Sequence, residues 1–217
     1  MTKEEILTEL FQTKIVAIIR LDKSEPVVQV AEALVKGGVK AIEVTIGTPN
    51  AVEEIEKLAG NPDILAGAGS VINAEMAELV IKAGAQFIVT PVSKPEIIEM
   101  AHRYGKPVLS GAFTPAEMLQ AYEWGADIVK MFPAESLGLP YFKAVKAPLP
   151  QLPIMPTGGI TIDNAREWIQ NGAVCLGVGS TLVNKKLIAQ NDYEAISKLA
   201  RGMREAVNRA MAQFYPG

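Results

Sequence analysis

The chain has 217 residues, 49% hydrophobic and 21% charged, with 21 lysines and arginines against 24 aspartates and glutamates. That length suits one globular domain with a large core, and a formal net charge of −3 supplies no basic field of the kind that attracts nucleic acid or anionic membrane. The single cysteine excludes an internal disulfide and a multi-cysteine zinc site, which leaves a small molecule as the expected partner.

In chain order, "MTKEEILTELFQTK" is charged from its start, unlike a secretory signal, and reads as one extra helix over residues 1–13. No apolar run reaches membrane-spanning length, so the expected location is the cytoplasm. The regular part begins with the strand "KIVAIIR". Four phrases then recur, "KGGVKAIEVT", "KAGAQFIVT", "EWGADIVKMF" and "QNGAVCLGVG", each a helical pattern closing on glycine and followed at once by an apolar segment. A glycine just past a helix supplies a left-handed cap, so each phrase marks a helix-to-strand junction. Between them lie "DILAGAGS", "KPVLSGAF" and "PIMPTGGI", which brings the strands to eight.

The connecting segments "SEPVVQVAEALVK", "NAEMAELVIKAG", "KPEIIEMAHRYG", "TPAEMLQAYEWG" and "TIDNAREWIQNG" carry apolar residues at three- and four-residue spacing behind polar or proline starts. Strand–helix alternation of this length predicts an α/β protein with a parallel sheet closed into a (β/α)8 TIM barrel. An open doubly wound sheet is the competing architecture, but no G-x-G-x-x-G fingerprint follows "KIVAIIR". The expected organisation is a single barrel domain over residues 1–217, with barrel strands in 14–183 and C-terminal helices in 184–217.

Catalytic groups of such barrels stand at the carboxyl ends of strands, so charges inside strands are the ones to question. Arg20 ends "IVAIIR", Glu43 lies in "AIEVTI", and Lys130 interrupts "DIVKMF". Glu43 and Lys130 could form one structural ion pair across the barrel. Alternatively, desolvation disfavours the charged form of an amine, and a neutral amine attacks a ketone to give a Schiff base while a nearby carboxylate moves protons. "PTGGI" and "GVGS" follow strands seven and eight, where backbone N–H groups often hold phosphate. Arg20 adds a cation with the fork geometry that suits carboxylate or phosphate. His102 stands without cysteine or clustered carboxylates and reads as a surface or capping residue, so no metal site is expected. Met131, Met155 and Cys175 read as core, Trp124 and Trp168 as helix residues packing on strands, "NKK" after strand eight as a solvated turn, and "MREAVNRAMAQF" as an amphipathic helix.

With these residues in place, the chain from about residue 14 to 183 resembles the 2-keto-3-deoxy-6-phosphogluconate aldolase family, also called the 4-hydroxy-2-oxoglutarate aldolase family. The matching stretches, in order, are "IVAIIR", "GGVKAIEVT", "GAGSV", "FIVTP", "TPAE", "KMFPAE", "PTGGI" and "GVGS". The resemblance implies a class I aldolase, usually a homotrimer, that needs no metal or cofactor and cleaves a phosphorylated 2-keto-3-deoxy sugar acid to pyruvate and glyceraldehyde 3-phosphate. It puts the imine-forming lysine on Lys130 and the general base on Glu43. Ser70, where the family usually has threonine, would bind the pyruvyl carboxylate, and Pro91 would shape the pyruvate side. Phe132 would pack over the imine, Thr157 would border the substrate, and Gly158, Gly159, Gly179 and Ser180 would cradle phosphate.

One position departs from the pattern: many members read E-V-T-x-R-T, and this chain has "EVTIGT", with Gly47 in place of a carboxylate-binding arginine. The preferred acid could then be the galactonate-derived epimer or 4-hydroxy-2-oxoglutarate. Phe113 in "SGAFTP" is bulky enough to crowd the aldehyde side. Functions of other classes on the same barrel are a phosphosugar isomerase or epimerase, or a non-catalytic phosphate-ligand binder or scaffold.

Overall fold

The computed structural model describes residues 1–214, with side chains as far as 212; the last three residues of the expected C-terminal segment lie outside the described residues. Helix α1 (Lys3–Thr13) opens with a capping box in which Thr2 and Glu5 satisfy each other's backbone N–H groups. Eight strands follow: β1 (Ile15–Ile19), β2 (Ala41–Thr45), β3 (Leu65–Gly69), β4 (Phe87–Val89), β5 (Val108–Ala112), β6 (Ile128–Met131), β7 (Ile154–Pro156) and β8 (Leu176–Val178). All pairs are parallel, β1 pairs with both β2 and β8, and the Thr157–Gly177 bridge closes the ring between β7 and β8. The expected (β/α)8 barrel is the observed one.

The helices are α2 (Val27–Lys36), α3 (Ala51–Ala59), α4 (Ala74–Lys82), α5 (Pro95–Arg103), α6 (Pro115–Glu123), α7 (Gly138–Lys146), α8 (Ala165–Gln170), α9 (Lys185–Ala189) and α10 (Tyr193–Phe214). At the recurrent junctions Gly38, Gly84, Gly125 and Gly172 all have φ between 90° and 105°, the left-handed geometry expected there. The C-terminal α10 packs on α2 and α8, so closely that a Cβ on Gly37 would come within 2.4 Å of Ala200.

Two apolar layers result. The larger lies between the outer strand faces and the helices. The smaller fills the lower barrel interior with Val16, Ala41, Leu65, Phe87, Ile128, Met155 and Cys175, and Ile6 and Leu10 of α1 plug it from below. Burial pushes the Cys175 thiol up to about 12, which keeps it an inert part of that floor. Side chains two positions apart on a strand share a face, so Ala41 puts Glu43 inside the barrel, and Ile128 does the same for Lys130, one step above the floor.

Three expectations need correction. Trp124 is the cap residue of α6, beyond its buried stripe of Met118 and Ala121, and is 38% exposed, whereas Trp168 is buried and meets the Phe142 ring edge-on at 5.4 Å. The "NKK" turn is instead the start of α9, because the Asn184 side chain accepts from the N–H groups of Lys186 and Leu187. His102 is more than a surface residue: its Nε2 lies 2.8 Å from Asp127, a buried carboxylate that also holds Lys3 at 2.9 Å and accepts from Val108 N–H at 2.9 Å. Asp127 therefore fastens α1 and α5 to the sheet.

Replacing it should loosen the plug. Asp127→Ala leaves a buried N–H without its partner and is expected to cost on the order of 1–3 kcal/mol, with Asp127→Asn costing less; denaturant unfolding and hydrogen exchange over α1 measure both.

Candidate active site

The upper barrel interior opens into a cavity of about 680 Å³ at the carboxyl ends of the strands. Arg20, Ser70, Pro91, Lys130, Phe132, Thr157, Gly158, Gly159, Gly179 and Ser180 all line it. Glu43 lies beneath, 1% exposed, and Lys130 is 6% exposed. The eleven residues singled out from the sequence, drawn from seven strands and their loops, thus fall at one place. A second cavity of about 650 Å³ lies outside the ring against the β1–α2 loop and α9, separated from the first at the Lys185–Asp22 ion pair of 2.7 Å. Its charged side chains are all solvent-exposed, so the chemistry favours the first cavity.

Neither oxygen of Glu43 has a hydrogen-bond partner among the described residues, and no ion pair joins it to Lys130. The direct structural pair considered from the sequence is therefore absent among these residues. Burial pushes the Glu43 carboxyl above the usual carboxylate range, and the positive charges of Lys130 and, less strongly, Arg20 oppose that shift. Such a group can take up or return a proton, and nothing in the fold occupies its lone pairs. Thr157 Oγ1 is a second buried, unpartnered polar atom on the cavity wall.

Around the amine, the Phe132 ring centroid lies 5.3 Å from Lys130 Nζ, close enough to favour a cation over its face. Ser70 follows β3 at φ 60°, a backbone position that few side chains adopt without strain, and its Oγ accepts from an Arg20 guanidinium nitrogen at 3.3 Å. A hydroxyl and a fork-shaped cation thus point at the same region. Thr48 Oγ1 accepts from Leu21 N–H at 3.3 Å, which ties the loop after Arg20 to the loop containing Gly47. A Cβ at Gly47, which is solvent-exposed and outside the cavity lining, would meet nothing within 4 Å.

The diglycine of "PTGGI" has φ 105° at Gly158 and 68° at Gly159, and a Cβ on Gly159 would come within 2.7 Å of the Glu135 side chain. Glu135 lines the cavity, as do Thr161, Asn184, Lys185 and Lys186, and the sequence reading assigned none of these to the site. Glu135 stood in the quoted "KMFPAE" and was available to it; the lysines were hidden by their polar surroundings. Phe113 stands outside this lining and stacks on Tyr141 at 6.4 Å, so it does not crowd the cavity as expected. Among the described residues no three His, Cys, Asp or Glu side chains gather as a metal site would require.

A closed barrel with a buried amine and a buried carboxylate below a glycine-rimmed mouth defines a (β/α)8-barrel enzyme. The family model described as "Aldolase: KDPG and KHG aldolase" matches residues 6–199. The 2-dehydro-3-deoxy-phosphogluconate aldolase of Haemophilus influenzae is 37% identical, over 92% of this chain and 95% of that protein. The 2-dehydro-3-deoxy-6-phosphogalactonate aldolase of Escherichia coli is 32% identical, over 91% and 98%. A crystal structure of KDPG aldolase from Legionella pneumophila, with pyruvate captured at low pH as a covalent carbinolamine intermediate, superimposes with a TM-score of 0.84 at 30% identity, covering 91% of this chain and 97% of that one. The chain belongs to the KDPG and KHG aldolase family, and with it to the lyases.

The raised Glu43 carboxyl has a stability consequence. The folded protein keeps that proton at pH values where the unfolded chain has released it. Stability therefore falls as pH rises from the ordinary carboxylate range to the raised value, and the full cost stands above it. Glu43→Gln removes the charge, so it should melt above wild type at about pH 8, by roughly 2–4 °C per ~1 kcal/mol relieved, with the difference shrinking toward pH 4; calorimetry across pH checks this.

Proposed function

We propose that this protein is a class I aldolase that cleaves 2-keto-3-deoxy-6-phosphogluconate to pyruvate and glyceraldehyde 3-phosphate through a Schiff base on Lys130. The observation that carries this reading is the buried Lys130–Glu43 couple under an open cavity, with both Glu43 oxygens left unpartnered. The Lys130 amine attacks the C2 ketone, and loss of water from the carbinolamine gives the protonated imine. Glu43 supplies and removes the protons of that step, directly or through a water. It then accepts the C4 hydroxyl proton as the C3–C4 bond breaks. The electron pair of that bond moves into the imine as an enamine, and the aldehyde leaves. Protonation at C3 and hydrolysis release pyruvate and restore the amine. Phe132 shields the imine, Arg20 and Ser70 hold the carboxylate, Pro91 and Thr157 border the substrate, and the backbone at Gly158, Gly159, Gly179 and Ser180 receives the phosphate.

The galactonate-derived epimer is the second reading, favoured by Gly47 and by the name of the Escherichia coli relative. As the resemblance implies, the same reading makes the protein a cytoplasmic homotrimer of a sugar-acid pathway of the Entner–Doudoroff type. Support for self-association comes from exposed Val92, Trp124 and Phe132, which line one groove beside the mouth.

Borohydride reduction with pyruvate, followed by peptide mass spectrometry, tests the chemistry. A pyruvyl adduct is expected on the peptide carrying Lys130 and on none in Lys130→Ala; an adduct elsewhere, or none in wild type, sinks the proposal. Substrate choice is tested at the open position 47. Gly47→Arg should fold normally and, by adding one charged hydrogen bond, raise kcat/KM for the gluconate-derived acid about tenfold, mainly through KM, when both epimers are assayed.

A further inference from the structure

We propose that Gly69 is a positioning residue for the catalytic carboxylate: the space left by its missing side chain is the seat that holds Glu43 in place. Gly69 ends β3 beside β2 and is paired in register with Thr45, two residues beyond Glu43. A Cβ built on it would stand 1.8 Å from Glu43 Oε1, 2.5 Å from Cδ and 2.6 Å from Cγ, so the carboxylate end fills the volume that any side chain there would need. A base is ordinarily oriented by a hydrogen bond from a neighbour, and neither Glu43 oxygen has one among the described residues. Shape replaces the hydrogen bond, and both oxygens stay available for protons. Below the seat, Gly67 is filled by the Phe87 ring, whose atoms approach within 2.2 Å of an ideal Cβ, so a displaced carboxylate is blocked from moving down onto the floor.

This inference rests on the role proposed for Glu43, and two measurements separate the two ideas. In Gly69→Ala the clash falls on the far end of a flexible side chain, so the protein should fold with the carboxylate pushed outward. The rate of borohydride-trapped pyruvate capture should drop by roughly 10²-fold, the scale of a lost general base. Glu43 must be ionised to act, so capture is lost as pH falls through its titration. The groups facing it are Lys130 from β6 and Arg20 from the end of β1. A carboxylate moved toward water titrates lower, so the acid limb of the capture rate should shift to lower pH in Gly69→Ala, which a purely structural defect would not do.

Melting temperatures give the second reading without activity. Gly69→Ala should destabilise the wild-type protein and leave Glu43→Ala unaffected, because the competing atoms are gone. Wild-type capture rate with an unmoved limb, or equal destabilisation in both backgrounds, overturns the seat. If wild type itself captures no pyruvate, the aldolase reading falls and the melting cycle alone judges Gly69.

Discussion

A carboxylic acid held inside an eight-stranded barrel, without a hydrogen-bond partner among the described residues, is the constraint that orders the rest of this structure. Leaving such a group unsatisfied costs a few kcal/mol, and ionising it there costs more. Beneath Glu43 the fold sets a buried apolar floor. Phe87 occupies the volume vacated at Gly67, the lower strands contribute Leu65, Ile128 and Met155, and α1 seals the ring from below.

The barrel separates stability from chemistry by one step along each strand. With a rise of about 3.3 Å per residue, side chains two positions apart on one face differ by about 6.6 Å in height. That distance takes Ala41 to Glu43 on one strand and Ile128 to Lys130 on another, from an apolar layer to a charged one. The strands are only three to five residues long, so each offers no more than three positions on its inner face. The N-terminal ends are fastened by Asp127, Lys3 and His102, and the C-terminal ends carry the loops that line the cavity.

Legibility in the sequence followed physical contrast. Lys130 and Glu43 stood out because a charge inside an apolar run has few structural explanations, and most of the eight strands stood out because they followed a capping glycine or a proline. Helices α3 and α7 were not named in advance. The first follows Asn50 at φ 54° and the second begins at Gly138. Lys185 and Lys186 read as surface charge, which they also are, and only the return of the β8–α9 loop to the mouth brings them to the cavity. Gly69 was quoted within "GAGS" and still passed over, because its contribution is empty volume and a sequence records only what is present.

The same contrast explains where this family can change substrate without losing its chemistry. Charges deep in the barrel act at low effective dielectric, so the Glu43 carboxyl, buried by the fold, feels Lys130 strongly and the exposed Arg20 less. At the mouth, Lys186 is solvent-exposed and Lys185 pairs with an Asp22 that is 84% exposed, so interactions there are screened and nearly independent of the interior. Gly47 is solvent-exposed as well, outside the cavity lining, and a Cβ there would meet no atom within 4 Å. In the proposed reaction an arginine lost from position 47 alters how an anionic substrate is gripped while leaving the proton balance of the Lys130–Glu43 couple intact. Relatives of similar sequence can therefore carry different sugar-acid names on one catalytic interior.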